Sequence, residues 1–324
     1  MMNRRACLRY AATLCATSAF AARAADPWPS RPITLVSASP AGGNADVIGR
    51  MLSVPLAAAL KVNVLVDPRP GATGMIASAY VAKAPPDGCT LLLGSIATHA
   101  IAPSINKNLP YDVLRDFTPI AMVGSNALIL AVSAKSPYHT VADVVGAAKA
   151  NPGTLSFGSP GIGGTSHLSG ELFQHLSGTK LIHVPNARNP AYADVIAGTT
   201  TMLFEGSVAL LSHIRSGLLR PIAVTGLTRS PQLADVPTMV ESGVAGFDVR
   251  SWQAIFGPAG IPKTVVERLH REFTAAVNSD SAKPRMTTLD ITPMDMTPAA
   301  LANFQREEIA KWANVVKLSK IEAR

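Results

Sequence analysis

Ile33-Thr34-Leu35-Val36 is a strand-like apolar run, and the turn after it reads Ser39-Pro40-Ala41-Gly42-Gly43-Asn44-Ala45-Asp46. A second glycine-rich turn, Gly158-Ser159-Pro160-Gly161-Ile162-Gly163-Gly164-Thr165-Ser166-His167, follows the strand-like run Leu155-Ser156-Phe157. Each turn stands between a strand-like and a helix-like segment. Backbone N–H groups at a helix start attract anions, and glycine lets a ligand approach the backbone closely. The two turns therefore predict a cleft that closes on a negatively charged molecule.

Short apolar runs alternate with helical patterns along the chain. The order β-α-β-α-β extends from Ile33 to Leu93, and a second unit of the same kind begins at Leu128. This alternation is typical of an α/β fold whose mostly parallel sheets are flanked by helices. Pro55 is expected to kink or shorten the first helix, because proline lacks an amide hydrogen. Near the C-terminus the pattern predicts two helices, 297–303 and 304–317.

The N-terminus has the pattern of an export signal rather than of a folded segment. A basic stretch precedes the apolar residues Tyr10 to Ala22, and Ala22-Arg23-Ala24 fits a small-x-small cleavage site. We therefore expect residues 1–24 to be a signal peptide that is cleaved near Ala24-Ala25, by either the Sec or the twin-arginine route. The mature protein is expected in the periplasm.

Composition and charge exclude several classes of function. The 324-residue chain has a formal charge of +8, which falls to +4 without the four arginines of the signal. No basic stripe with interleaved aromatic residues remains, so we expect no nucleic-acid partner. Only Cys89 lies outside the signal, which excludes an internal disulfide and a cysteine metal cluster. No mature segment reaches the ~18 consecutive apolar residues of a membrane span.

The second turn nearly matches two nucleotide-binding motifs. Gly158 and Gly163 have the spacing of a P-loop, but Gly164-Thr165 stands where that motif requires Lys-Ser/Thr. In the Rossmann pattern, Ser166 occupies the third glycine position. Nucleotide binding is therefore disfavoured. Anion capture by backbone amides and by the Thr165 and Ser166 hydroxyls is the preferred interpretation, and a purely structural turn is the alternative.

The chain shows no arrangement typical of a catalytic or metal site. Ser166 and His167 are neighbours on a predicted helix, so their side chains do not face each other. No Gly-x-Ser-x-Gly elbow occurs, and the histidines lack metal-ligand spacing. We expect no enzyme activity, no metal and no cofactor. Asp46 and Glu205 each allow two interpretations: ligand selection, or an ordinary acid at a helix start or a strand end.

Many short motifs occur in an order that resembles one family, the extracytoplasmic solute receptors of tripartite tricarboxylate transporters, also called the Bug family. The resemblance covers essentially residues 26–324. The motifs that carry it are Trp28-Pro29-Ser30-Arg31-Pro32-Ile33, Pro40-Ala41-Gly42-Gly43 with Asp46, Arg69-Pro70-Gly71-Ala72, Pro86-Asp87-Gly88, Thr98-His99, Leu109-Pro110-Tyr111-Asp112, Asp116-Phe117, Gly163-Gly164-Thr165-Ser166-His167-Leu168, His183-Val184-Pro185, Asp235-Val236-Pro237-Thr238, Ser251-Trp252 and Ala310-Lys311-Trp312.

The resemblance implies a two-lobed periplasmic-binding-protein fold of the type II kind, with a hinge between the lobes. Lobe 1 would comprise 25–125 plus 227–324, and lobe 2 would comprise 126–226. It implies a monomeric, non-enzymatic receptor that captures a small carboxylate, either an organic acid or an amino acid, for membrane permease subunits. A membrane sensor kinase is the alternative partner, and a secreted hydrolase is the other alternative function.

The family's ligand contacts map onto both turns and onto neighbouring strand ends. The mapped residues are Ser39, Ala41, Gly42, Asp46, Ser95 and Thr98 in lobe 1, and Ser159, Gly164, Thr165, Ser166, Pro185 and Asn186 in lobe 2. Glu205 joins them because Glu205-Gly206 replaces the family's usual Asp-Asn. Ser39 replaces an aromatic residue, and Asn186-Ala187-Arg188 replaces Tyr-Lys-Gly. We expect the ligand specificity of this chain to lie at these departures.

Overall fold

The computed structural model of the protein describes residues 28–186 and 190–321. The predicted signal peptide, residues 1–24, and Arg188 lie outside the described residues. The strands are β1 (Ile33–Ser37), β2 (Val64–Pro68), β3 (Thr90–Ser95), β4 (Phe117–Ser133), β5 (Ser156–Ser159), β6 (Ile182–Pro185), β7 (Met202–Gly206), β8 (Leu219–Val224), β9 (Arg250–Pro258) and β10 (Thr292–Pro293).

Helices separate most of these strands. They are α1 (Asn44–Leu60), α2 (Met75–Ala82), α3 (Ala102–Ile105), α4 (Val141–Ala150), α5 (Thr165–Ser177), α6 (Ala191–Ala197), α7 (Ser207–Arg215), α8 (Lys263–Val277), α9 (Lys283–Thr288) and α10 (Pro298–Leu318). A π-helical turn, Ala97–Ile101, leads into α3, and a 3-10 turn, Ala72–Gly74, leads into α2. Within the described residues, no helix is both long and apolar enough to cross a bilayer.

The expected α/β fold is confirmed, with sheets that mix parallel and antiparallel strands. The strand order is β2-β1-β3-β9-β4-β7-β5-β6, and both β8 and β10 pair with β4. The strands β2-β1-β3 and β6-β5-β7 are parallel sets, whereas β4 and β9 run antiparallel to their neighbours. The carboxyl ends of the parallel strands β1 and β5 lead into the two glycine-rich turns.

Strand β4 connects two half-sheets. Residues 117–127 pair with β9, and residues 128–133 pair with β7 and β8. We call the elements around β1–β3, β9 and β10 the first half, and those around β5–β8 the second half. The chain crosses from one half to the other near Ala127 and Leu128. The predicted boundaries of the two lobes as moving units stay a prediction.

Helices α1 and α8 cover one face of the first half-sheet. Leu35 of β1 packs in one buried cluster with Ile48 and Leu52 of α1 and with Leu269 and Phe273 of α8. Fully burying such a side chain contributes ~1.5–3 kcal/mol. This burial fixes α1 on the sheet and thereby positions the turn at its N-terminus.

The predicted break between two C-terminal helices is wrong. Helix α10 is continuous from Pro298 to Leu318, without the predicted break at 303/304. No glycine or proline stands at that point, and Phe304 packs edge-on against the buried ring of Trp252 at 5.6 Å between centroids. Pro55 does not shorten α1, because the buried Leu52 and Leu56 hold the helix on the sheet on both sides of it. The alternative, a kink at Pro55, stays a prediction.

Gly170 allows α5 to lie directly on β5. A Cβ atom at this position would lie far inside van der Waals contact with the ring of Phe157, a fully buried residue of β5. We expect Gly170→Ala to reduce the free energy of unfolding by ~1–3 kcal/mol, because overpacking forces the helix or the ring to move. Chemical denaturation would measure this loss.

Gly146 provides the matched control, since it is also a helical glycine but has no heavy atom within 4 Å of the Cβ position. We expect Gly146→Ala to stabilise α4 by ~0.5–1 kcal/mol, because alanine favours helix more than glycine does. Equal stability of the two variants would contradict the tight contact between α5 and β5.

Candidate functional site

A cleft of about 470 Å³ opens between the two halves of the molecule. The first half contributes Asn44, Thr73 and Ser251, and β4 contributes Asn126 and Leu128 at the crossing point. The second half contributes residues from the second turn and from the start of α7. These are Pro160, Gly161, Ile162, Gly164, Thr165, Ser166, Glu205, Gly206, Val208 and Ala209.

The N-terminus of α5 is open toward this cleft. The first main-chain bond of the helix joins the Leu168 amide to the Gly164 carbonyl at 3.0 Å, and no side chain caps the helix start. The amides of Thr165 and Ser166 precede that bond, so they have no partner within the helix. Because Thr165 and Ser166 also line the cleft, this helix start supplies hydrogen-bond donors and a partial positive charge to a ligand.

Buried side chains hold the second turn in shape. His167 Nδ1 accepts a hydrogen bond from the Gly163 amide at 3.0 Å, and Ser159 Oγ accepts one from the Gly161 amide at 3.2 Å. The His167 and His183 rings stack at 3.9 Å between centroids. Gly163 has φ +83°, a conformation that suits glycine. The turn is thus preorganised by contacts on the side away from the cleft.

Ser159, which is fully buried, and His183, which is partly buried, form a serine–histidine pair. Ser159 Oγ lies 2.6 Å from His183 Nε2, and burial lowers the pKa of His183 to about 4, so the ring is neutral at pH 7. Ser159 is fully buried and does not line the cleft, and its hydroxyl is engaged within the turn. In this conformation a substrate in the cleft does not reach the pair.

The first turn uses most of its amides internally. Asp46 Oδ2 accepts hydrogen bonds from the Gly42 amide and from Arg50 Nε, both at 2.9 Å. The Arg50 guanidinium, followed by the Gly42 amide, lowers the pKa of Asp46. Ser39 Oγ accepts from the Ala45 amide at 3.3 Å. Asn44 is the residue of this turn that lines the cleft.

Glu205 is the one ionisable side chain among the described residues that line the cleft. Its Oε1 accepts a hydrogen bond from the Gly206 amide at 2.9 Å, and its Oε2 accepts from Ser166 Oγ at 3.4 Å. Burial raises the pKa of Glu205, and these two hydrogen bonds only partly oppose that effect. Because Ser166 belongs to the first turn of α5, its hydrogen bond places the Glu205 carboxyl group beside the open start of that helix.

Asn126 brings an unsatisfied amide to the cleft wall. Its side chain is 7% exposed, and Oδ1 has no hydrogen-bond partner among the described residues. The residue lies in β4 at the crossing point, opposite Ser251 of β9, which also lines the cleft. A buried carbonyl oxygen without a partner costs ~1–3 kcal/mol, so a ligand that supplies a donor gains this energy.

The other predicted contacts lie within each half. Thr98 Oγ1 accepts from the Ser95 amide at 3.0 Å and lies 2.9 Å from His99 Nδ1. His99 is fully buried, which lowers its pKa to about 3, so it is a core histidine. Asn186 Nδ2 donates to Asp194 Oδ2 at 2.7 Å, and the Asn186 amide donates to the Ser159 carbonyl at 2.8 Å.

The structure thus brings only some of the predicted contacts together around the cleft. Those that line it are Gly164, Thr165, Ser166 and Glu205. Those that do not line it in this conformation are Ser39, Ala41, Gly42, Asp46, Ser95, Thr98, Ser159, Pro185 and Asn186. Sequence reasoning missed Asn44, Thr73, Asn126 and Ser251. Of these four residues, only Asn126 could have been identified from the sequence, because it is an amide residue inside a long apolar strand.

No group of three or more His, Cys, Asp or Glu side chains within the described ranges is arranged to hold a metal ion. Cys89 is buried as a small core residue. The arrangement at the cleft is therefore one for binding through amides, hydroxyls and one carboxyl group.

Comparison with known proteins finds relatives that match nearly the whole chain. The chain is 34% identical to the protein BugT of Bordetella pertussis over 98% of each sequence. It is similar to the structure of Rpa4515 of R. palustris with adipate, with a TM-score of 0.81, 32% identity, and coverage of 91% of this chain and 99% of that one. The periplasmic binding protein BugD gives a TM-score of 0.78 at 30% identity and covers 92% of this chain and 100% of its own.

A family model described as "Tripartite tricarboxylate transporter family receptor" matches residues 48–321, which is most of the chain. The fold, with two half-sheets joined along β4, is that of periplasmic binding proteins. The chain therefore belongs to the receptor family of the tripartite tricarboxylate transporters.

Proposed function

We propose that this protein is a periplasmic solute receptor that captures a small carboxylate between its two halves. The observation that carries the proposal is the uncapped start of α5, whose Thr165 and Ser166 line the cleft. A relative of the same fold is described with adipate, a carboxylate. The export signal expected at residues 1–24 supports a periplasmic location.

The cleft suits a carboxylate rather than a phosphate ester or a nucleotide. A helix N-terminus carries about half a positive charge, which is enough to favour a carboxylate. Among the described residues, no Lys or Arg side chain lines the cleft, and the cleft is lined instead by neutral side chains and one carboxyl group. Leu128, Ile162 and Val208 provide an apolar wall for the body of the ligand.

The architecture suits capture by closure. Strand β4 crosses between the halves, and the cleft lies on both sides of that crossing, so a bend there would bring Asn44 toward Thr165. In this proposal the halves act as the lobes 25–125 plus 227–324 and 126–226. A closed, ligand-loaded monomer would then dock on the permease subunits of a tripartite transporter.

A thermal-shift screen tests the proposed capture. A ligand that binds only the folded protein, at 100 times its Kd, adds ~2.7 kcal/mol to the free energy of unfolding. We expect at least one mono-, di- or tricarboxylate or amino acid to raise Tm by several degrees, whereas amines that lack a carboxylate leave Tm unchanged. A panel in which no carboxylate raises Tm would contradict the proposal.

The proposed partner is tested by uptake of the ligand found in that screen. Loss of the receptor from its native cell should abolish high-affinity uptake, and the exported protein should restore it. Normal uptake together with loss of a transcriptional response would instead identify a membrane sensor as the partner.

A further inference from the structure

We propose that the cleft selects an α-amino acid with an apolar side chain, whose carboxylate binds at the start of α5 and whose ammonium group binds Glu205 and Asn126. This inference rests on the proposed function, because it names the substrate class of the same cleft. Four features of the described residues carry it.

The first feature is the charge of the cleft wall. Glu205 is the one ionisable side chain among the described lining residues, and no cation accompanies it. The start of α5 favours one carboxylate, and the acceptor oxygens of Glu205 beside it favour a positively charged donor. A zwitterion satisfies both needs at once, because it brings one negative and one positive group.

The second feature is distance. Ser166 belongs to the open start of α5, and its Oγ lies 3.4 Å from Glu205 Oε2. The two binding groups are thus neighbours rather than opposite ends of the cleft. In an α-amino acid the carboxylate and the ammonium group are attached to the same carbon, so they match this short separation.

The third feature is the unsatisfied amide of Asn126. Its Oδ1 has no partner among the described residues, although its side chain is more than nine-tenths buried at the cleft. An ammonium group has three donors and no acceptor, so it can donate to Glu205 and to Asn126 together. Hydrogen bonds to a charged donor are also stronger than those between neutral groups.

The fourth feature is the apolar wall. Ile162 is 45% exposed and Val208 is 52% exposed, and both line the cleft together with Leu128. Covering this surface with an apolar side chain removes it from water, which is favourable by ~25 cal/mol per Å². A polar or charged side chain would lose hydration there without gaining a partner.

The same features disfavour a dicarboxylate such as the adipate described with Rpa4515. Its second carboxylate would share the cleft with Glu205, and the described lining residues include no lysine or arginine to separate the charges. Two carboxylates in one site bind poorly unless one of them is protonated. We therefore expect this chain to differ from that relative in its preferred ligand.

Calorimetric titration with a matched ligand series tests the inference. The series is leucine, 4-methylpentanoate, aspartate and adipate. Relative to leucine, 4-methylpentanoate lacks only the ammonium group, and aspartate carries a charged side chain in place of the apolar one. We expect leucine to bind at least about tenfold more tightly than each of the other three, because only leucine satisfies Glu205, Asn126 and the apolar wall together.

Glu205→Gln shows whether Glu205 causes the preference. In this variant the ratio of the 4-methylpentanoate Kd to the leucine Kd should fall from about tenfold to about threefold or less, because a neutral amide no longer attracts the ammonium group. Glu267→Gln is the matched control, since Glu267 lies on α8 with 61% of its side chain exposed, and it should keep the ratio of the wild type.

The outcomes separate the two proposals. If 4-methylpentanoate or adipate binds as tightly as leucine, the inference is wrong although carboxylate capture stands. If the Glu205→Gln protein keeps the full preference for leucine over 4-methylpentanoate, Glu205 does not bind the ammonium group and the inference is again wrong. If no carboxylate of any kind binds, the proposed function itself fails.

Discussion

Gly164→Glu is expected to abolish ligand binding while the protein still folds. A Cβ atom at Gly164 would meet no heavy atom within 4 Å, and the residue has φ −77°, which any L-amino acid adopts. The new carboxylate would lie at the start of α5, where it takes the place of the ligand's own carboxylate. We expect the affinity for the ligand to fall at least about 100-fold, because the new carboxylate occupies the ligand's position and cancels the favourable charge of the helix start.

The experiment compares this variant with Gly146→Glu. Gly146 is an exposed helical glycine in the same half, and it too has no heavy atom within 4 Å of its Cβ position. Both variants should unfold at a temperature no lower than that of the wild type, and only Gly164→Glu should fail to bind. Wild-type affinity in folded Gly164→Glu protein would show that the ligand binds elsewhere.

Glu308→Leu is expected to cause the largest loss of stability among the substitutions considered for α10. Glu308 is 8% exposed, and its Oε2 accepts hydrogen bonds from Trp252 Nε1 at 3.0 Å and from Trp312 Nε1 at 3.2 Å. Its Oε1 also pairs with Lys311 Nζ at 2.9 Å. Leucine would leave two buried indole N–H groups without acceptors, at ~1–3 kcal/mol each.

Denaturant unfolding, followed by tryptophan fluorescence, measures this loss, which we expect to total about 2–5 kcal/mol. Glu308→Gln keeps one acceptor oxygen and should recover part of the loss. The neighbouring Glu307 is exposed, so Glu307→Leu should change stability by no more than about 0.5 kcal/mol. Equal stability of the Glu308→Leu and Glu307→Leu proteins would contradict the role of this carboxylate in fixing α10 to β9.

Local signals in the sequence predicted much of the fold. A threonine just before a helical pattern favours an N-cap, and Thr140 Oγ1 accepts from the Asp143 amide at 3.1 Å in a full capping box at the start of α4. A glycine just after a helical pattern favours a helix end, and Gly178 after α5 has the left-handed conformation, with φ 63°. Such caps are local, because each depends on residues within one turn of helix.

Longer elements were harder to predict. The second unit is predicted to begin at Leu128, whereas β4 extends from Phe117 to Ser133. Gly124-Ser125-Asn126 interrupts the apolar pattern within that strand, although all three residues are buried. Gly124 and Ser125 lie between β9 and β10, and Asn126 lies between β9 and the cleft. The length of β4 depends on its pairing with β9, which lies more than 100 residues later in the chain. Such long-range pairing leaves no signal in a short window of sequence.

The sequence predicted the chemistry of the candidate site, but only some of the residues that form it. The two turns look alike in sequence, yet Ser39 occupies the Ala45 amide in the first turn of α1, whereas no side chain caps the start of α5. Which amides are already bonded depends on side-chain geometry, which the sequence does not specify. Asn126 and Ser251 meet at the cleft only because β4 and β9 pair in this register.

A crystal structure of the protein with its bound ligand tests the central claim most directly, if the protein is purified from its native cell without refolding. We predict a carboxylate in the cleft between the halves, with its oxygens within hydrogen-bond distance of the backbone amides at Gly164, Thr165 and Ser166. A ligand without a carboxylate, or a carboxylate held away from the start of α5, would contradict the account.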